Sequence, residues 1–133
     1  MPRYSVLVID DNRDAADTMK VWLELSGFPT AVARTGPAGL ALAFEHAPPV
    51  ILLDIGLPVM DGFAVAAALR ADPRTAGCRL VAVSGYGTTE DRARTAAAGF
   101  AVHFTKPADP VEVLTVIRAA IEPPVDTGRQ DGN

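Results

Sequence analysis

The sequence predicts an α/β fold in which a five-stranded parallel sheet lies between two layers of helices, a three-layer sandwich. Two observations support this prediction. Short runs of β-branched and aliphatic residues recur at positions 6–10, 30–33, 50–54, 80–84 and 102–105, and stretches of helical character separate them. Runs without polar alternation are typical of strands covered on both faces. Because short connections join the alternating strands and helices, we expect right-handed crossovers with helices on both faces of the sheet.

The first two helices are bounded by residues that start and stop helices. The first is expected to begin near Asn12 or Asp14 and to end at Gly27. The second is expected to begin after Thr35 and to run to about Glu45. The inner face of the first helix should carry the apolar residues at helical spacing, namely Ala16, Met19, Trp22 and Leu23.

The last three helices differ in how strongly the sequence specifies them. The third is expected over about residues 63–71, and the fourth, after Thr88, is expected to bury mainly alanine, as at positions 96–98. The last has the clearest start, with Asp109 as N-cap, Pro110 at the first position and Glu112 at the third. Its core-facing stripe should consist of the apolar residues Leu114, Ile117 and Ile121.

The composition fits one globular domain with its own core. Of the 133 residues, 49% are hydrophobic and 21% are charged. We assign residues 1–122 to this domain and expect the polar, helix-breaking residues 123–133 to form a disordered tail. The formal net charge of -4 gives no electrostatic reason to expect nucleic-acid or anionic-membrane binding. The single cysteine, with no signal peptide and no apolar run of membrane-spanning length, favours a cytoplasmic protein.

Acidic residues follow two of the predicted strands. Asp10 and Asp11 follow the first apolar run, and Asp54 ends the third. Ligands bind beyond the carboxyl ends of parallel strands, so we expect the three carboxylates to converge there. Two unit charges about 4 Å apart repel by roughly 4 kcal/mol at an effective dielectric of about 20, a cost that a cation relieves, and oxygen-only ligands favour Mg2+. Each of these residues also suits a simpler role as a helix cap or a turn cap.

Motifs at the ends of the later strands extend this pattern. The chain reads Asp-Ile-Gly-Leu-Pro-Val-Met-Asp-Gly at 54–62, Ser-Gly-Tyr-Gly at 84–87 and Lys-Pro at 106–107. With the acidic pair at 10–11, these motifs resemble the receiver domain of two-component response regulators over about residues 4–121. The resemblance implies a flavodoxin-like, doubly wound sheet with strand order 2-1-3-4-5. The later motifs are also similar to those of receivers at the C-terminus of hybrid histidine kinases.

The resemblance implies a role for each polar residue at this edge of the sheet. Asp54 would be the phosphoacceptor, whose carboxylate attacks the phosphorus of a phosphohistidine and becomes an acyl phosphate. The carboxylates of Asp10, Asp11 and Asp54, with the backbone carbonyl of Gly56, would hold Mg2+. Lys106 would neutralise phosphoryl oxygens as a point charge.

The remaining implied residues concern switching. The hydroxyl of Ser84 could donate to the phosphoryl group and move on phosphorylation. His103 stands where receivers typically carry an aromatic ring, and roles as a switch residue and as a partly buried strand histidine are both open. Tyr86 could share the switch role. The family also implies a cis peptide bond between Lys106 and Pro107.

The chain is therefore expected to be a phosphorelay switch. It would accept a phosphoryl group from a histidine kinase or a histidine phosphotransfer domain in a Mg2+-dependent reaction. Phosphorylation would then alter the binding of a downstream target at the face formed by helix 4, strand 5 and helix 5. We do not expect an enzyme beyond assistance to its own phosphorylation and dephosphorylation.

Two alternatives belong to other functional classes. A pseudo-receiver would act as a constitutive binding module, but such domains usually lack the acceptor, the acid pair or the lysine, all of which are present in this sequence. A haloacid-dehalogenase-like phosphatase also uses a strand-end aspartate and Mg2+. That family requires an Asp-x-Asp motif, which neither acidic group supplies.

Overall fold

The computed structural model describes residues 4–85 and 87–121. The strands are β1 (Val6–Ile9), β2 (Thr30–Ala33), β3 (Val50–Asp54), β4 (Arg79–Ser84) and β5 (Phe100–Thr105). The helices are α1 (Arg13–Leu25), α2 (Gly36–His46), α3 (Gly62–Ala71), α4 (Thr89–Ala97) and α5 (Pro110–Ile121). Within the described ranges, no helix has the length and apolar character that crossing a membrane requires. The predictions for Tyr86, for the domain end at residue 122 and for a tail over 123–133 lie outside the described residues.

The five strands form one parallel sheet in the predicted order β2-β1-β3-β4-β5. Ile9 of β1 lies beside Leu53 of β3, and Ser84 of β4 lies beside Thr105 of β5. The chain passes from β1 to β2 and then crosses back to β3, so the topological switch point falls between β1 and β3. The residues that follow these two strands therefore border the crevice where ligands bind in such sheets.

Both faces of the sheet are buried under helices. Side chains alternate between the faces along β1, so that Leu7 and Ile9 join one cluster of buried residues and Val6 and Val8 join the other. The first cluster includes residues of α2 and α3, and the second includes residues of α1 and α5. This double coverage explains why the central strand β1 is continuously apolar and why β3 is apolar up to Asp54, since every side chain of these two strands is buried.

Side-chain caps fix where the helices begin at the carboxyl edge of the sheet. Asn12 caps α1 and Asp61 caps α3, each by accepting the backbone N–H three residues later. Thr88 and Asp91 form a capping box at the start of α4. Pro110 is the first residue of α5, as predicted. These caps fix the loops that carry the polar residues of the site.

Two predictions about buried faces are wrong. Trp22 is 36% exposed instead of facing inward, and its indole Nε1 donates to the Pro110 carbonyl oxygen at 3.3 Å. In α4 the buried residue is Thr95, whereas the alanines at 96 and 97 are exposed. In both cases another element supplies a hydrogen-bond partner. Pro110 accepts from the exposed indole N–H, and His103 contacts the Thr95 hydroxyl, which needs a partner because it is buried.

Gly62 allows α3 to approach β3, and we expect Gly62→Ala to be destabilising. A Cβ there would lie 2.6 Å from the Ile55 Cα and 2.9 Å from the Asp54 carbonyl oxygen. Because both are backbone atoms, α3 would have to move, and we expect the free energy of unfolding to fall by about 2 kcal/mol in urea denaturation. Gly77→Ala is the control, since a Cβ there meets nothing within 4 Å. Equal effects of the two substitutions would contradict this account.

Candidate functional site

Three carboxylates meet at the switch point between β1 and β3. Because Ile9 lies beside Leu53, the residues that follow them bring Asp10 close to Asp54. Carboxylate oxygens of Asp10, Asp11 and Asp54 lie within 4.8 Å of one another. Asp10 and Asp54 are buried, and Asp11 is exposed. The structure thus brings together the acidic residues that the sequence places at this edge.

The carboxylate of Asp54 is held by two neighbours from different loops. Its Oδ1 accepts the backbone N–H of Gly56 at 2.9 Å, and its Oδ2 accepts a hydrogen bond from Lys106 Nζ at 3.1 Å. These two bonds fix the orientation of a side chain that ends a buried strand. A carboxylate accepts up to about four hydrogen bonds, so both oxygens keep the capacity to bind a further ligand.

Lys106 is the cation that faces the carboxylates. Its Nζ lies 3.1 Å from Asp54 Oδ2 and 3.5 Å from Asp10 Oδ2. Its backbone N–H donates to the Ser84 carbonyl oxygen at 2.7 Å, and the peptide bond to Pro107 is cis. Partial burial opposes the ammonium charge, but the hydrogen bond to Asp54 and the charges of Asp54 and Asp10 raise the pKa of Lys106 above its ordinary value. The lysine is therefore protonated at neutral pH.

Negative charge exceeds positive charge in this acidic pocket. Among the described residues, the ammonium of Lys106 lies beside Asp10 and Asp54, and these two carboxylates cluster with a third, that of Asp11. Burial raises the pKa of Asp10, and the charge of Asp54 acts in the same direction, against the opposing effects of the Asn12 N–H bond and of Lys106. Oxygen ligands without cysteine or histidine are typical of hard divalent cations. The chemistry of the donor set therefore fits such an ion.

A second group of polar side chains links β4, β5 and α4 beside the acidic pocket. The Oγ of Ser84 lies 2.9 Å from Nε2 of His103, and Nδ1 of the same ring lies 3.1 Å from Oγ1 of Thr95. The Arg92 guanidinium donates to the His103 carbonyl oxygen at 3.2 Å. The sequence motifs predict Ser84 and His103 in this region but not Thr95 or Arg92. The sequence offers little signal for Thr95, because α4 also contains Thr89 and is otherwise rich in alanine and charged residues.

A cavity of about 610 Å³ opens between α1 and the connection from β5 to α5. Apolar side chains that include Met19, Trp22 and Leu52 line it, together with the acidic residues Asp10 and Asp54. No sequence motif reveals this cavity, because it arises from the spacing of elements distant in the chain.

Comparison with known proteins agrees with this fold. Residues 6–118 match the family described as the response regulator receiver domain. The chain is 36% identical over 121 residues to the DNA-binding dual master transcriptional regulator RpaA of Synechocystis, covering 91% of this chain and 49% of RpaA. It is 38% identical over 117 residues to the transcriptional regulatory protein PrrA of Mycobacterium tuberculosis, covering 87% of this chain and 49% of PrrA. The chain thus spans about half the length of these curated relatives.

A solved structure of the same class is also similar. The response regulator receiver domain protein (CheY-like) from Methanospirillum hungatei superposes with a TM-score of 0.78 at 29% identity, covering 88% of this chain and 92% of that one. This chain belongs to the response regulator receiver family, and it is a receiver domain of two-component signalling. The flavodoxin-like fold expected from the resemblance is confirmed. Neither the phosphatase nor the pseudo-receiver alternative gains support.

The excess of negative charge predicts that Asp10→Asn stabilises the cation-free protein. In EDTA near neutral pH we expect the free energy of unfolding to rise by about 1 kcal/mol. The pKa of Asp10 is higher in the folded state than its ordinary value of 3.8. Ionised Asp10 therefore disfavours folding as the pH rises above 3.8. The gain should therefore disappear below pH 3.8, where this carboxyl is protonated in both states. Urea denaturation across this pH range provides the measurement.

Asp17→Asn is the matched control, because Asp17 is exposed on α1 outside the acidic cluster. It removes the same charge and should change stability little. A loss of stability in Asp10→Asn would show that attraction to Lys106 outweighs the effect of burial, and would refute the predicted gain.

Proposed function

We propose that the chain works as a phosphorelay switch whose phosphoacceptor is Asp54. The position of this carboxylate carries the proposal. It is buried at the end of β3, lies within 4.8 Å of two further carboxylates and accepts a hydrogen bond from Lys106. An anion attacks a phosphoryl group slowly unless positive charge is held beside both, and this pocket supplies that charge from a fixed side chain.

We propose that Asp10, Asp11 and Asp54 bind Mg2+ together with the carbonyl oxygen of Gly56. The Gly56 N–H bonds to Asp54 Oδ1, so the Gly56 backbone lies beside the acidic cluster. Mg2+ prefers oxygen ligands and usually keeps several waters, which suits the exposed Asp11 as a ligand through water. When bound, the ion supplies positive charge that balances the phosphoryl oxygens.

In the proposed reaction an Asp54 oxygen attacks the phosphorus of a phosphohistidine on a partner protein. The new O–P bond forms as the N–P bond breaks, and the imidazole nitrogen leaves with the electron pair. Lys106 stabilises the negative charge on the transferring group. The donor is a histidine kinase or a histidine phosphotransfer domain in the cytoplasm. The chain assists its own phosphorylation and dephosphorylation and does not turn over a separate substrate.

Phosphorylation is proposed to alter partner binding at the face formed by α4, β5 and α5. The phosphoryl group adds about -1.5 to -2 charge and three strong acceptor oxygens, which attract the Ser84 hydroxyl. That hydroxyl contacts the ring of His103 on β5, and Arg92 of α4 donates to the His103 carbonyl oxygen. A displacement at Ser84 therefore has a physical route to α4. The downstream partner would bind whichever arrangement of this face phosphorylation favours.

Phosphorylation by a small donor tests the acceptor. Incubation with Mg2+ and acetyl phosphate should add the mass of one phosphoryl group to the wild-type protein, and Asp54→Asn should abolish the adduct. EDTA should suppress the adduct because it removes the metal ion. Asp10→Asn should suppress it because it removes one of the proposed ligands of that ion. Intact-mass spectrometry provides the measurement.

Asp61→Asn is the matched control for this experiment. Asp61 lies in the same loop and caps α3, and asparagine is an equally good cap. This variant should be phosphorylated as the wild type is. An adduct of undiminished yield in Asp54→Asn would remove the assignment of the acceptor.

Amide NMR tests the proposed output face. Beryllium fluoride, a stable mimic of the phosphoryl group, should shift resonances of α4 and β5 more than those of α2. Arg92→Ala should reduce the shifts in α4 at least twofold, because the guanidinium contact with His103 is lost. Arg34→Ala is the control, since Arg34 is exposed beyond β2. Unchanged resonances across α4, β5 and α5 in the mimic-bound wild type would refute the output face.

A further inference from the structure

A chain of hydrogen bonds runs from the acidic pocket to the backbone of α4 through the ring of His103. Nε2 of this ring lies 2.9 Å from Ser84 Oγ, and Nδ1 lies 3.1 Å from Thr95 Oγ1. Thr95 Oγ1 in turn donates to the Arg92 carbonyl oxygen at 3.0 Å. Ser84 is 4% exposed and Thr95 is 2% exposed, so water does not compete freely for these hydroxyls.

The direction of each bond follows from the one group that cannot donate. The Arg92 carbonyl oxygen only accepts, so the Thr95 hydroxyl uses its single proton there. Thr95 Oγ1 must then accept its other bond from Nδ1–H of His103. A neutral imidazole carries one N–H, which leaves a lone pair on Nε2 to accept the proton of the Ser84 hydroxyl. In the resting protein the Ser84 proton therefore points toward His103.

We propose that Thr95 is a positioning residue, which fixes the His103 tautomer that holds the Ser84 proton away from Asp54 before phosphorylation. Thr95 acts only through His103 and does not touch the phosphoryl group. This role rests on the proposed function, because it takes Asp54 as the acceptor. The side chain that controls the Ser84 hydroxyl thus lies on α4, the helix proposed to report phosphorylation.

Phosphorylation of Asp54 reverses the direction of the hydrogen bonds that link Ser84, His103 and Thr95. The phosphoryl oxygens are strong acceptors and take the Ser84 proton in a charge-assisted hydrogen bond. Ser84 Oγ can then only accept from His103. The ring therefore gains a proton at Nε2 and releases one from Nδ1, both exchanged with water, so that its charge does not change. Nδ1 now accepts the Thr95 proton, which breaks the bond between Thr95 and the Arg92 carbonyl.

The reversal acts at a residue that already joins α4 to β5. The Arg92 guanidinium donates to the His103 carbonyl oxygen at 3.2 Å. The Arg92 carbonyl oxygen accepts the hydrogen bond of the Thr95 hydroxyl, which contacts the His103 ring. The side chain and the backbone of Arg92 are thus both linked to His103. A change in the His103 tautomer therefore alters the hydrogen bonds of Arg92 on α4, and the His103 ring does not have to rotate.

Histidine nitrogen NMR tests the resting tautomer directly. Protein labelled with 15N-histidine would be studied at about pH 8, where an ordinary imidazole is neutral. The chain has two histidines, and His46, which packs edge-on against Tyr4, serves as the internal reference. We expect the His103 proton on Nδ1 in the resting protein and on Nε2 after addition of Mg2+ and beryllium fluoride.

Thr95→Val tests the proposed cause, because it keeps the side-chain shape and removes the hydroxyl. A buried N–H without an acceptor costs more than a lone pair without a donor, so His103 should carry its proton on Nε2 before any mimic is added. In that tautomer Nε2–H donates to Ser84 Oγ, so the Ser84 hydroxyl no longer donates to His103. We expect beryllium fluoride to bind about fivefold more tightly, the equivalent of one neutral hydrogen bond. Thr95→Ser should restore the wild-type tautomer and affinity.

Thr75→Val is the matched control. Thr75 is 0% exposed, and its hydroxyl donates to the Leu69 carbonyl oxygen at 2.7 Å, away from His103. This variant loses a buried hydroxyl of the same kind and should leave the His103 nitrogens unchanged. Both Thr→Val variants should lose some stability, so stability alone does not distinguish positioning from packing, and the tautomer does.

The outcomes separate this role from the proposed function. A resting His103 with its proton on Nε2 overturns the role of Thr95, whatever happens at Asp54, and this measurement needs only the wild-type protein. His103 nitrogens in Thr95→Val that match the wild type also overturn it. A resting Nδ1 proton that Thr95→Val moves to Nε2 supports the role. If the wild type with that tautomer binds no beryllium fluoride, the proposed function fails while Thr95 still controls the tautomer.

Discussion

The interaction on which the site depends is the pairing of one ammonium with carboxylates from two strands. Lys106 follows β5, yet its Nζ lies 3.1 Å from Asp54 at the end of β3 and 3.5 Å from Asp10 after β1. The same contacts leave more negative than positive charge at the carboxyl edge of the sheet. The pocket is therefore least favourable when nothing positive is bound to it. A binding site of this kind reduces the stability of the fold so that a ligand can restore it.

Ser84 connects the acidic pocket to the hydrogen bonds that run through His103 to Thr95. Its backbone carbonyl oxygen accepts the Lys106 N–H at 2.7 Å, while its hydroxyl lies 2.9 Å from the His103 ring. The backbone of β4 thus fixes the lysine, and the side chain of the same residue is left to respond. Rigid support and a movable proton are combined at one position, which is what a switch between two arrangements requires.

The sequence predicts the fold and the acidic cluster because both depend on local patterns. Continuous apolar runs mark strands buried on two faces, and residues such as Asp54 follow at positions fixed by strand ends. Trp22 and Thr95 are different, since apolar periodicity and alanine content suggest the wrong buried residues for α1 and α4. Their positions depend on partners from distant segments, Pro110 and His103. The cavity beside α1 likewise depends on how far helices stand apart, which no short motif encodes.

The position of Trp22 has a further consequence. It is the single tryptophan of the chain, it borders the cavity that reaches Asp54, and its indole N–H is bonded to the first residue of α5. Indole emission responds to the polarity and rigidity of its surroundings, and no other tryptophan contributes background. The domain therefore contains its own optical probe, whose fluorescence follows the packing of α1 against α5 beside the acidic pocket.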